Sequence, residues 1–199
     1  MAGPDANARR NERKLFISYA VYDLPMVQAF QKAVDELSKS AITCFIATER
    51  LRAGDDWRNR LRNEVSASSA LVSLITARSI NRPWFNYELA LADANDLPIF
   101  PVLFDNVPET LDTHPISDRL YRPAVLHSIS QLFKEILEYF EVQPPSSETI
   151  RAIALEFLRE SRASNRIGMR SGDAEKDHYA YIKGRIEGHA RFAITRFDD

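Results

Sequence analysis

Four short runs of mostly apolar residues constrain this chain more than any other feature: "KLFISYA" from Lys14, "ITCFIA" from Ile42, "ALVSLIT" from Ala70 and "LPIFPVLF" from Leu97. Each is rich in strand formers and lacks the polar alternation of a sheet with one wet face, so each reads as a strand buried on both sides. Between them lie one-sided helical stripes. Val27, Phe30, Val34 and Leu37 form the first, and Trp57, Leu61 and Val65 the second. A third helix is expected over residues 83–95, with Pro83 suited to its first turn. "RPAVLH" from Arg122 reads as a short fifth strand, and Ile129, Leu132, Phe133, Ile136, Leu137 and Phe140 line one face of a further helix. Buried strands alternating with amphipathic helices predict an α/β domain over residues 14–141, a flavodoxin-like doubly wound parallel sheet of about five strands. Ligands bind such sheets beyond the carboxyl ends of the strands, which directs attention to the loops after Tyr19, Ile46, Thr76 and Phe104.

The flanks differ in character. Residues 1–13 carry no apolar periodicity and read as a flexible tail. After "VQPPSS", Pro144 and Pro145 break the chain, Ser146 or Ser147 can cap a new helix, and Ile150, Ile153, Ala154, Phe157 and Leu158 supply its apolar stripe. The last stretch, from Arg166, mixes helical and strand spacing and supports no single assignment. Residues 142–199 are therefore expected to form an accessory extension, separable from a domain that folds without it.

Several chemistries are excluded by what the chain lacks. Between Lys14 and Gln143 the sole glycine is Gly54, so neither a glycine-rich dinucleotide loop nor a P-loop can be built. His114, His127, His178 and His189 are scattered without metal-ligand spacing, and no metal site is expected. The single cysteine, Cys44, lies in an apolar run and reads as a core thiol. A receiver-type phosphoacceptor needs paired acids after the first strand, where this chain has only Asp23, and a lysine after a late strand, which "FPVLFD" does not supply. A formal charge of -2 gives no general attraction for nucleic acid or anionic lipid. With no apolar run near the ~20 residues that span a bilayer and a polar start, "MAGPDANARRNERK", the expected location is the cytoplasm.

The segment "INRPWFNYELALAD", from Ile80, sets Trp84 and Glu88 four residues apart on one helix face, with Phe85 and Tyr87 between them. Spacing alone admits two readings: a packed tryptophan with a solvated acid, or a carboxyl group in an aromatic-walled cleft suited to a flat cation. This segment, with "KLFISYAVYD", "ATERLRAGDDW" and "ALVSLIT", resembles the successive boxes of a TIR (Toll/interleukin-1 receptor) domain, in order, over residues 14–141. It is similar to the bacterial, NAD-cleaving branch of that family.

The resemblance implies that Glu88 is the catalytic glutamate, ionised against the ribose, and that Trp84 belongs to the active site, with Tyr19 and Phe85 available to stack on a ring. It implies that the loop Glu49 to Trp57 covers the substrate, giving Glu49, Arg50, Arg52 and Trp57 as substrate contacts, and that the same loop touches a neighbouring domain. One departure is that Ala20 and Val21 stand where some active relatives carry basic residues, which leaves pyrophosphate contacts to Arg50, Arg52 or Arg82. The implied activity is that of an NAD+ nucleosidase releasing nicotinamide and ADP-ribose, or a cyclic ADP-ribose signal, in bacterial stress or antiphage defence. NAD+ is then the substrate and no cofactor is called for. Head-to-tail self-association and a separate effector or sensor protein are the implied partners. Two other readings remain open at this point: a non-enzymatic TIR-TIR scaffold, and an N-glycosidase acting on nucleosides or nucleotides other than NAD+.

Overall fold

In the computed structural model, which describes residues 13–46, 57–80, 82–104 and 122–168, the apolar runs become strands β1 (Lys14–Ser18), β2 (Thr43–Ile46), β3 (Ala70–Ile75) and β4 (Ile99–Leu103), with a two-residue β5 (Arg122–Pro123). All pair in parallel, in the order β2-β1-β3-β4-β5. The expected flavodoxin-like arrangement is therefore the one observed, and the order reverses between β1 and β3, opening a crevice at their carboxyl ends. Helices α1 (Leu24–Ser38), α2 (Trp57–Ser66), α3 (Pro83–Ala94) and α4 (Leu126–Tyr139) follow β1, β2, β3 and β5 in turn, and α5 (Ser147–Gly168) ends the described chain. None is long and apolar enough to cross a membrane.

Alternation along the strands sends side chains to two separate cores. Leu15, Ile17, Val72, Leu74 and Val102 meet α1, α4 and α5 on one face. Phe16, Leu71 and Ile75 meet Leu61, Val65, Phe85 and Leu89 of α2 and α3 on the other. Because the chain has almost no glycine in this region, left-handed turn positions fall to other residues: Lys39 and Ser40 after α1, Asp96 before β4 and Glu141 after α4, all with φ between 52 and 59°. Such backbone costs a non-glycine residue about 1 kcal/mol, and the Ser40 N–H bond to the Asp35 carbonyl, at 2.8 Å, helps to hold the first of these turns.

The first compact unit runs to Arg162, past the boundary expected between residues 141 and 142. Pro144 and Pro145 lie in the short extended connection between two packed helices. Ser146 caps α5, its hydroxyl accepting the Thr149 N–H at 3.2 Å. The stripe Ile150, Ile153, Ala154, Phe157 and Leu158 closes the core over α1 and α4. Phe157 is 2% exposed and meets Phe30, Phe133 and Phe104 edge-on. The second unit begins at Ala163 and is described only to Gly168. Phe157→Ala is expected to cost about 3 to 5 kcal/mol in urea unfolding. A chain ended at Gln143, with the Phe30 and Phe133 rings uncovered, should lose its cooperative transition and near-ultraviolet dichroism. Wild-type unfolding of that shortened chain would show the helix to be dispensable.

Candidate functional site

The carboxyl ends of β1 and β3 meet at the switch point, and the buried polar side chains of the sheet collect there. Ser18 ends β1 and faces α3, and Ser73 stands beside it on β3 in direct register. Both interrupt otherwise apolar strands, and both are fully buried. Above them α3 turns Glu88 inward at 9% exposure, where its Oε2 accepts a hydrogen bond from the Ser18 hydroxyl at 2.5 Å. Burial pushes the Glu88 carboxyl up to about 8, against the smaller lowering effect of the Ser18 bond. Burial without a neighbouring cation among the described residues thus favours the protonated acid near neutral pH. The Ser73 hydroxyl finds no hydrogen-bond partner among the described residues.

A second polar node lies at the same edge. Asp23, in the turn after β1, is 2% exposed and accepts from the Thr76 hydroxyl at 2.8 Å and from Arg78 Nη1 at 3.0 Å. Burial raises its pKa, while Thr76 and Arg78 pull it down. The "TARS" turn after β3 is itself tied: the Thr76 N–H donates to Ser79 Oγ at 2.8 Å, and the Ser79 hydroxyl donates to the Leu74 and Thr76 carbonyls. Arg82 donates from Nε to the Arg78 carbonyl at 2.9 Å and lays its guanidinium over the Tyr22 ring, 4.8 Å from the centroid. The loop after β3 therefore reaches across to the turn after β1 at three side chains.

The described residues expected to form the site do not all gather in one place. Trp84 and Glu88 share α3. Trp84 is partly exposed, with Tyr87 edge-on at 5.8 Å and the Arg58 guanidinium 5.6 Å from its ring centroid. Phe85 is a correction: at 2% exposure it is a member of the core between α3, α2 and the sheet, which leaves no ring face for a ligand. Tyr19 packs instead against the core on the α1 and α4 side of the sheet, away from the face that carries Ser18 and Glu88. Glu49, Arg50 and Arg52 lie outside the described residues. Trp57 is described only as the first residue of α2. Ser18, Ser73, Thr76 and Arg78 went unassigned in the sequence, although a serine inside a continuous apolar strand was signal enough for the first two.

The burial of Glu88 has a thermodynamic signature. Its folded-state pKa, about 8, lies above the ordinary 4.5, so the folded protein keeps a proton that the unfolded chain has lost between those values. Its contribution to stability is complete below about pH 4.5 and declines as pH rises to about 8, by a few kcal/mol. The melting temperature of the wild type is expected to fall relative to Glu88→Gln across that interval, and the difference should flatten above it. Parallel curves for the two proteins would show Glu88 to be solvated.

A family model described as TIR domain matches residues 15–135. Among solved structures, the TIR domain of the Toll-related receptor TRR-2 from Hydra magnipapillata is similar at 15% identity and a TM-score of 0.50, over 64% of this chain and 97% of that one. The TIR domains of the activated Roq1 resistosome recognising the pathogen effector XopQ are similar at 14% identity and a TM-score of 0.41, over 71% and 96%. A TIR-STING receptor from C. gigas, solved with 2',3'-cGAMP, is similar at 20% identity and a TM-score of 0.45, over 65% of this chain and 39% of that one. No curated protein sequence matches the chain. With the family match running from β1 into α4, over a sheet whose order is that of the fold, the chain belongs to the TIR domain family.

Proposed function

We propose that this TIR domain is an NAD+ nucleosidase with Glu88 as its catalytic residue. The observation that carries the reading is a buried carboxyl group, anchored by Ser18 at the switch point and one helical turn from a partly exposed tryptophan. Nicotinamide in NAD+ is a cationic leaving group. The C1'–N1 bond breaks with its electron pair going to the ring nitrogen, and positive charge develops on the ribose. A carboxylate against the ribose stabilises that charge, and does so most effectively where water is excluded. Water capture at C1' gives ADP-ribose and a proton, whereas capture by the substrate's own adenine gives a cyclic product.

The neutral ground state of Glu88 fits this chemistry. Leaving the acid protonated avoids a bare buried charge, and entry of the cationic nicotinamide ring lowers its pKa and draws off the proton. In such a site Trp84 stacks on the ring only if Arg58 yields the face it now covers. NAD+ depletion or a cyclic ADP-ribose signal would serve bacterial stress or antiphage defence.

Nicotinamide release from NAD+, followed by mass spectrometry, tests the activity. Glu88→Gln should lower kcat by ~100-fold or more while leaving the fold intact. In the wild type kcat/KM should rise with pH and level off above about 8, where free Glu88 is ionised. Full turnover by Glu88→Gln, or a flat profile, would remove Glu88 from the reaction.

The loop Glu49 to Asp56 mixes both signs of charge, which suits self-complementary head-to-tail contact between domains. If a neighbour completes the site, initial rate per milligram should climb over a hundredfold range of protein concentration, and Arg52→Glu should suppress the climb. A rate independent of dilution would count against assembly.

A further inference from the structure

Two serines interrupt the central strands at the same level of the sheet. Ser18 on β1 and Ser73 on β3 are in direct register, both fully buried, on the face that also carries Phe16, Leu71 and Ile75. Neighbouring strands lie about 4.8 Å apart, so the two hydroxyls form a pair across the seam. Helix α3 packs over both strands and carries Glu88 on the same buried stripe as Phe85, Leu89 and Ala92. One hydroxyl of the pair is used: Ser18 donates to Glu88 Oε2 at 2.5 Å, whereas Ser73 Oγ has no partner among the described residues.

A hydroxyl buried in an apolar strand costs stability while it stays unbonded. The state of Glu88 decides whether it can bond. A neutral carboxyl group carries its proton on one oxygen, but the ionised form is an acceptor only, with lone pairs free on both. Loss of the Glu88 proton therefore creates an acceptor over the seam, and a hydroxyl turns toward a new acceptor without any change of backbone.

Among the described residues no charge on the surrounding elements takes this part. Strands β3 and β4 carry no titratable side chain. On β1, Lys14 lies at the opposite end, tied to Glu64 of α2. Of the other cations of α2, Arg58 lies over Trp84, Arg62 bonds the Tyr87 hydroxyl, and Arg60 stands between them in sequence. In the flanking turns Asp23 pairs with Arg78, and Arg82 lies over Tyr22. Asp93, on α3 itself, is exposed more than a turn beyond Glu88. The raised Glu88 pKa accordingly has burial and the Ser18 bond as its causes.

We propose that Ser73 is a positioning residue for Glu88: when Glu88 ionises, its proton passing to solvent, the Ser73 hydroxyl donates to the carboxylate, and Ser18 and Ser73 together form a two-point seat that fixes it. The catalytic use of the seat rests on the nucleosidase reading, and the seat itself does not.

The Glu88 carboxyl carbon, assigned by its loss in Glu88→Gln and titrated by 13C NMR in the full chain, tests the seat without any turnover. Ser73→Ala should raise the midpoint by about one pH unit, since a bond to the ionised form is lost. Ser73→Thr and Ser73→Val share a shape and differ in the hydroxyl, so the first should stay near the wild-type midpoint and the second should follow Ser73→Ala. Melting temperatures give a second reading. Ser73→Ala should melt at or above the wild type at acid pH, where the hydroxyl is idle, and below it once Glu88 is ionised. That crossing should vanish when Glu88 is replaced by Gln. In nicotinamide release from NAD+, the rising limb of kcat/KM should move up by the same interval in Ser73→Ala. An unchanged midpoint in Ser73→Ala, as expected of a hydroxyl held by a bound water alone, or a crossing that persists in Glu88→Gln, would overturn the proposal. A chain that shows the shifted midpoint and cleaves no NAD+ upholds the seat and removes the enzyme.

Discussion

Parallel pairing of β1 with β3, covered on both faces by helices, is the constraint from which the rest of the structure follows. A sheet buried on both sides allows polar side chains only where the strands end or where another polar group waits for them. Ser18 meets Glu88, and Asp23 meets Thr76 and Arg78, all at the carboxyl end of this one strand pair. Ser73 is the exception, a buried hydroxyl with no partner among the described residues. An orphan of that kind costs about 1 to 3 kcal/mol, and it lies in register with Ser18, the partner of the candidate acid. The same sheet geometry that excludes polarity elsewhere concentrates it at the switch point.

The two buried carboxyl groups at this edge illustrate opposite solutions to desolvation. Asp23 has an arginine and a hydroxyl, and serves to tie the loop after β3 to the turn after β1. Among the described residues Glu88 has a single serine hydroxyl for a partner, and burial pushes its carboxyl up to about 8. Removing the Arg78 partner would leave Asp23 with an uncompensated burial cost. Glu88 already bears most of that cost, in the form of a raised proton affinity that an incoming positive charge can reverse. The first arrangement supplies rigidity and the second responsiveness, and the loop from Thr76 to Arg82 links them, since it carries Arg78 at one end and enters the helix of Glu88 at the other.

Strand runs, helix stripes, sheet class and the placement of Trp84 and Glu88 on one helix were legible because they depend on periodicity, which a sequence displays directly. The distinction between Trp84 and its neighbour Phe85 was not. Both sit at the start of the same apolar helix, and only the packing of α2 against α3 decides which ring is enclosed. Tyr19, adjacent to Ser18 in sequence, packs on the other face of the sheet, as alternation along a strand dictates. Asp23 and Arg78 are 55 positions apart, and a pair of that separation leaves no local pattern. The proton affinity of Glu88 was illegible too, because it depends on burial and on which dipoles reach the carboxyl group, and among the described residues the Ser18 hydroxyl alone does.

The double proline misled for a physical reason with consequences for the site. Pro144 and Pro145 end one helix and permit another, but composition says nothing about whether the second helix folds back. It does: the Phe157 ring meets Phe104, the residue that follows β4 and whose N–H donates to the Ile75 carbonyl at the end of β3 at 2.9 Å. Thr76, the partner of Asp23, is the next residue along. A chain of packed rings and backbone bonds therefore runs from α5 through β4 to the polar edge at the switch point. Packed cores transmit displacement because their rotamers are few and their voids small. The helix beyond the prolines is thus a structural support of the candidate site.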